Sequence, residues 1–171
     1  MNPSEGIAAD WQSHHIEGYA RAAMEAGADG YFNAPLISHI EGNLYVGGCI
    51  GGVRLDDDFA HVISLYKWEQ YELGPNTSRT EVTMYDSGDV PDAAQIDKLA
   101  DLVVSGLRDG KTLVHCQAGL NRSNLIAATA LIKMGRTPRE AIDLLREKRS
   151  PVVLCNRAFE GWLLTLDGVA S

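Results

Sequence analysis

The sequence predicts an α/β domain with a central, mostly parallel, twisted sheet of about four to five strands flanked by helices. Three observations predict it. Short apolar runs at 61–65, 81–85 and 112–115 read as buried strands. Capped segments with helical periodicity follow the second and third of these runs. The run at 112–115 enters its helix through a glycine-bearing loop, His115-Cys116-Gln117-Ala118-Gly119-Leu120-Asn121-Arg122-Ser123. Ligands bind at such strand ends in open parallel sheets.

Each element has its own reason. Over 5–26, Trp11, His15, Tyr19 and Ala22 share one helical stripe and Gly27 offers a stop, which predicts a peripheral helix. Residues 1–36 are therefore expected as an N-terminal helical extension packed on a domain formed by 37–171. Ile37-Ser38-His39-Ile40, the turn Glu41-Gly42-Asn43 and Leu44-Tyr45-Val46-Gly47 predict a hairpin. Gly74-Pro75-Asn76-Thr77-Ser78 reads as an exposed loop within the domain. Asp92 with Gln95 forms a capping box ahead of Ile96, Leu99, Val103 and Leu107, and Gly110 ends that helix. A helix is predicted over 123–134. Thr137-Pro138-Arg139-Glu140 starts the next, with Ala141, Ile142 and Leu145 inward. The last begins at Asn156 and turns Phe159, Trp162, Leu163 and Leu166 inward.

Composition excludes several classes. The 171 residues suit one domain, and 45% apolar with 22% charged residues is ordinary for a soluble globular chain. No run of eighteen apolar residues predicts a membrane span, and the first residues lack a secretory pattern, so a cytoplasmic location is expected. Three widely spaced cysteines, Cys49, Cys116 and Cys155, fit a reducing compartment. No Cys/His spacing suits a metal, and no cofactor is expected. A net charge of −8 opposes nucleic acid or an anionic lipid surface as partner.

The 115–123 loop carries the chemistry. A strand running into a helix aims backbone N–H groups at one point, which binds phosphate. Cys116 beneath those donors is placed to act as a thiolate nucleophile on a bound phosphoryl group. Arg122 offers a planar fork for two phosphate oxygens and for the charge that develops on them. Gln117, Ala118, Gly119, Leu120, Asn121 and Arg122 are the expected binding loop, with Gly119 where a Cβ would obstruct it. Ser123 can donate its hydroxyl to the sulfur. His115, at a buried strand end, is expected to fix the loop. A proton donor must come from another loop. Asp86 ends the run at 81–85, and Ser87-Gly88 follows it. On the residues alone it reads equally as acid or as turn former. Asp89 is the second candidate, and Asp92 is a helix cap.

His-Cys-x5-Arg-Ser resembles the signature of cysteine-dependent protein phosphatases, and the chain after residue 36 is most similar to the compact dual-specificity group. Leu44–Gly47 resembles that group's first core strand, and Val62-Ile63-Ser64-Leu65 its second. The resemblance favours Asp86 as the acid and implies that Asn156, near Phe159, supports the loop. It implies a phosphoprotein or phosphopeptide substrate, with phosphate or other oxyanions held in the loop. A shallow pocket would admit phosphoserine and phosphothreonine besides phosphotyrosine. Asn121-Arg122-Ser123 also resembles the Asn-Arg-Thr of cysteine-type RNA 5′-triphosphatases, and Asn124 stands where many members have Gly. An RNA 5′-phosphatase and a non-catalytic phosphate-binding module are the alternatives.

Overall fold

The computed structural model describes residues 9–67 and 70–166. In chain order the elements are β1 (Ala9–Asp10), β2 (His15–Tyr19), α1 (Arg21–Glu25), β3 (Tyr31–Pro35), β4 (Ile37–Glu41), β5 (Leu44–Gly47), β6 (Val53–Arg54), β7 (Phe59–Ser64), β8 (Ser78–Glu81), α2 (Ala93–Asp109), β9 (Lys111–His115), α3 (Arg122–Lys133), α4 (Pro138–Lys148) and α5 (Arg157–Thr165). The main sheet has five strands in the order β4-β5-β9-β7-β8. Only β4 and β5 pair antiparallel; the other three pairings are parallel. The predicted sheet and the predicted hairpin are both present.

Successive side chains of β9 point to opposite faces, so the strand serves two cores. Leu113 packs with Leu36, Val53, Phe59 and Val62. Val114 packs with Leu99, Val103, Leu125, Ile142 and Phe159, from the four long helices. α3 is the innermost of these, buried at every position from Ser123 to Ile132. Its N-terminus follows the end of β9 through the loop 116–121.

Three helix starts follow the predicted chemistry. Asp92 caps α2 by accepting from the Ala94 N–H at 3.2 Å; of the capping box predicted with Gln95, this side-chain cap is the part found. Thr137 and Glu140 form a complete capping box. Asn156 caps α5 by accepting from Ala158 and Phe159.

Two expectations are corrected. The helix predicted over 5–26 is absent from the described part of that segment. His15–Tyr19 is a strand, paired antiparallel with Tyr31–Pro35, and the helical pieces described there are a 3-10 turn at Trp11–Ser13 and the five-residue α1. The reason is tertiary. Trp11, His15 and Tyr19 fit a helical stripe, but Gly18 weakens a helix and the partner strand supplies the backbone bonds. Residues 5–8 of that expectation lie outside the described residues. The strand expected over 81–85 lies earlier, at Ser78–Glu81. Val82 N–H still bonds Ser64 O at 2.9 Å, after which the chain leaves the sheet edge. No described helix is long and apolar enough to cross a membrane.

Candidate active site

Cys116 follows β9 and is 2% exposed, with its sulfur 3.3 Å from Ser123 Oγ. The loop between them is shaped from outside. Gln117 O accepts from the Cys49 N–H at 2.9 Å. Ala118 O accepts from Arg149 Nη2 at 3.0 Å. Gly119 O accepts from Arg149 Nε at 2.8 Å and from Asn124 Nδ2 at 2.7 Å. Leu120 O accepts from Asn124 Nδ2 at 3.1 Å and from the Leu154 N–H at 2.9 Å. Four successive carbonyls are thus tied back, which turns the amides of the same peptides toward the sulfur. Among the described residues, no backbone carbonyl outside the regular elements accepts from the amides of Gln117 to Asn121. Those donors and the N-terminus of α3 make a cradle for an anion.

Glycine is required at 119. Its φ is +73°, and a Cβ there would lie 2.5 Å from the Gly47 carbonyl carbon and 2.6 Å from Arg149 Nη2. Leu154 also holds a left-handed conformation, φ 59°, as a buried non-glycine residue. Such a conformation costs about 1–3 kcal/mol and persists because its surroundings fix it. Its amide is the one that ties back Leu120.

Arg149 reaches further than the loop. Its Nη1 also donates to Pro35 O at 2.8 Å and to Ser38 Oγ at 3.0 Å. Burial pushes its guanidinium down to about 10, with nearby Cys116 opposing, so it stays charged at neutral pH. His115 is 1% exposed and burial, first of all, pushes it down to about 4. Its Nδ1 lies 3.2 Å from Cys116 O, an atom that can only accept, so Nδ1 carries the proton. Nε2 then accepts from the Tyr71 hydroxyl at 2.5 Å. Burial pushes Tyr71 up to about 12. At neutral pH this pair is uncharged and sits at the strand end.

The acid candidate arrives on the segment beyond β8. Arg122 Nη1 donates to Met84 O at 3.1 Å and so ties that segment to the loop. Arg122 Nε is buried without a partner among the described residues, a donor that an oxyanion would satisfy. Both oxygens of the exposed Asp86 accept: Oδ2 from Asn121 Nδ2 at 2.9 Å, Oδ1 from Asn156 Nδ2 at 2.8 Å. Asn121 Oδ1 in turn accepts from the Asn156 N–H at 2.9 Å. Asn156 therefore caps α5 and holds the Asp86 segment, because its Nδ2 also reaches Ser87 O at 2.7 Å.

These groups open on one cavity of about 790 Å³, lined by Cys116, Gln117, Ala118, Leu120, Asn121, Arg122, Asp86 and Asn156 among others. Gly119, Ser123 and His115 stand behind the lining. Asp89 does not line the cavity, and its amide bonds Ser87 Oγ. Burial pushes the Cys155 thiol up, and its sulfur lies 3.6 Å from Asn121 Nδ2. Among the described residues no group of three or more His, Cys, Asp or Glu side chains could hold a metal ion.

Sequence reasoning missed Arg149, Asn124, Leu154 and the Cys49 amide. Asn124 carried a signal, since an asparagine inside an apolar helical run needs a partner. Arg149 carried none that separates it from the other basic residues.

The geometry agrees with the relatives. The model of the dual specificity phosphatase catalytic domain matches residues 55–167. "MAP kinase phosphatase with leucine-rich repeats protein 3" of Dictyostelium discoideum is 36% identical over 90 residues, which cover 48% of this chain and 10% of that protein. "Dual specificity protein phosphatase 2" of Mus musculus is 42% identical over 59 residues, 34% of this chain and 18% of that one. The chain thus spans well under two thirds of the length of these two curated relatives. The crystal structure of human DUSP28 superposes with a TM-score of 0.64 at 16% identity, covering 75% of this chain and 90% of that one, a likeness of fold. With the matched model covering most of its length, the chain belongs to the dual specificity phosphatase catalytic-domain family.

Proposed function

We propose that this chain hydrolyses phosphate monoesters on protein side chains, phosphotyrosine together with phosphoserine and phosphothreonine, through a cysteinyl-phosphate intermediate. The supporting observation is the tie-back of the four carbonyls from Gln117 to Leu120 above a buried cysteine. In this reading residues 37–171 form the catalytic unit and residues 1–36 pack on it.

The reaction takes two displacements. The Cys116 thiolate forms an S–P bond as the P–O bond to the leaving group breaks. Asp86 gives that oxygen its proton, so the alcohol or phenol departs neutral. Arg122 and the loop amides hold the three non-bridging oxygens, whose charge is greatest between the two states. Water then attacks phosphorus, Asp86 takes its proton, and the S–P bond breaks to give inorganic phosphate. Ser123, 3.3 Å from the sulfur, donates its hydroxyl to the departing thiolate. To act as acid Asp86 must carry a proton before the first step, its hydroxyl turned to the leaving oxygen; the carboxylate left after the transfer is the form that both asparagines hold fully.

The loop's variable residues, Gln117, Ala118, Leu120 and Asn121, are uncharged, and the Asn121 side chain is taken up by Asp86 and Asn156. A polyphosphate end would call for extra cationic donors there, so the RNA 5′-phosphatase reading has the weaker support. The test is Cys116→Ser. Turnover of p-nitrophenyl phosphate should vanish while vanadate or a phosphotyrosine peptide still binds. Undiminished turnover would end the proposal.

A further inference from the structure

The cavity has a second wall that lies outside the residues the family model matches. Tyr19, Ala20, Ala22, Ala26 and Phe32 line it, together with the Cys116 loop and Asp86. They come from β2, α1 and β3 and the joints between them, whereas the family match begins at residue 55. This unit is closely built. β2 and β3 pair over their full length, from His15 opposite Pro35 to Tyr19 opposite Tyr31. At Gly30 a Cβ would come within 2.7 Å of Ala20 O, so the chain folds back tightly around α1. Phe32, 8% exposed, and Ala23 anchor the unit in the main core.

The wall gives the site height. Cys116, on the floor, is 2% exposed; Tyr19, at the rim, is 70% exposed. The Tyr19 ring meets Tyr31 edge to face at 5.5 Å between centroids, and the Tyr31 hydroxyl donates to Glu17 at 3.0 Å. The rim is thus held in place and aromatic. Arg21 and Glu25 line the same wall, paired at 2.8 Å so that each offsets the other's charge.

We infer that the unit spanning 15–35 is a specificity wall that ranks phosphorylated aromatic side chains, phosphotyrosine first, above phosphoserine and phosphothreonine. The inference rests on the phosphatase reading above. Alanine methyl groups and the Phe32 ring offer a flat aryl group an apolar surface along its length. The ring of phosphotyrosine also sets phosphorus farther from the peptide backbone than the single carbon of phosphoserine does. To reach the same floor, a phosphoserine peptide must lower its own backbone between the walls and strip its amides of water without new partners. The shallow pocket that the resemblance implied took no account of residues 1–36, which lie outside the resemblance.

The test uses three peptides identical except for phosphotyrosine, phosphothreonine or phosphoserine at one position. In wild type kcat/KM should favour phosphotyrosine by about 10–200-fold, the range over which apolar pockets discriminate. Tyr19→Ala and Phe32→Ala should narrow that ratio about tenfold, through KM for the phosphotyrosine peptide. Ala22→Asp should narrow it further, by placing a carboxylate in the apolar surface that the aryl ring meets. Tyr19 is exposed and Ala22 partly so, and these two variants decide the matter even if Phe32→Ala melts early. Equal kcat/KM for the three peptides in wild type, or a ratio unmoved by Tyr19→Ala and Ala22→Asp, overturns the inference. Failure of the phosphatase reading looks different: wild type would turn over neither the peptides nor p-nitrophenyl phosphate. The Kd values of the Cys116→Ser protein for the same peptides then decide the wall. Tighter binding of phosphotyrosine supports it, and equal Kd values sink it.

Discussion

The Cys116 loop and the Asp86 segment face one cavity but are held by different means. The loop from Cys116 to Ser123 is buried at most positions, and four of its carbonyls are anchored by groups from three other parts of the chain. The segment from Met84 to Asp89 is exposed after Met84. It hangs from Arg122 and Asn121 by one bond each and from Asn156 by two. A cradle for a developing charge works by being in place beforehand. An acid must exchange a proton with substrate and water, and so needs a hold that can loosen. Stability should therefore reside in the first region and proton transfer in the second.

The largest expected effect tests the first half of that contrast. Arg149→Ala removes donors to Ala118 O, Gly119 O, Pro35 O and Ser38 Oγ. Buried carbonyls left without partners should cost about 3–5 kcal/mol of unfolding free energy, measured in urea. Arg149→Lys should recover only part of it, because an ammonium cannot bridge this many acceptors in a plane. A loss under about 1 kcal/mol would mean that the loop holds its own shape without the arginine.

Asp86→Ala tests the other half. It should lower kcat on p-nitrophenyl phosphate by about 10²–10⁴. Unfolding free energy should stay within about 0.5 kcal/mol, since the residue is exposed. If Asp89→Ala shows the kinetic loss instead, the acid has been assigned to the wrong carboxylate.

The pH dependence of stability gives the next effect. His115 is held down to about 4 by burial, against 6.5 when unfolded. Between those values the unfolded chain binds more protons than the folded one, so stability is full above 6.5 and is lost as pH falls toward 4. From pH 7 to pH 5 the loss from this group is about 2 kcal/mol. His115→Gln should remove that part of the slope, and an unchanged slope would show that imidazole protonation is not its source.

The contrast also explains what could be read in advance. The cradle's own chemistry is contiguous from His115 to Ser123, and the helix starts at Asp92, Thr137 and Asn156 announce themselves by local hydrogen bonding. Those features depend on near neighbours, which a sequence displays. Arg149 lies 30 residues from Gly119 and 111 from Ser38, and nothing local marks it as their partner. The N-terminal segment fails for the same reason. His15–Tyr19 has a stripe that suits a helix, and only pairing with β3 makes it a strand. Asp86 is intermediate. Its side of the sheet followed from the parallel run of β8, β7 and β9, but the strand before it ends at Glu81. The asparagines that hold it were visible as residues and not as its partners.

Asn121 gives the smallest effect and the finest test of the acid's hold. The triplet Asn121-Arg122-Ser123 suggested an RNA-directed site, whereas the side chain bonds Asp86 at 2.9 Å and the Asn156 amide at 2.9 Å. As a positioning residue it should matter in proportion to how much the leaving group needs a proton. Asn121→Ala should lower kcat about tenfold on a poor leaving group such as an alkyl phosphate, the scale of one hydrogen bond of about 1.4 kcal/mol. With a nitrophenolate that departs unaided the loss should shrink toward nothing. Asn121→Asp, which sets a second carboxylate against Asp86, should do more harm than alanine on the alkyl substrate. A uniform loss across leaving groups would place the asparagine with the cradle instead, as part of what shapes the loop.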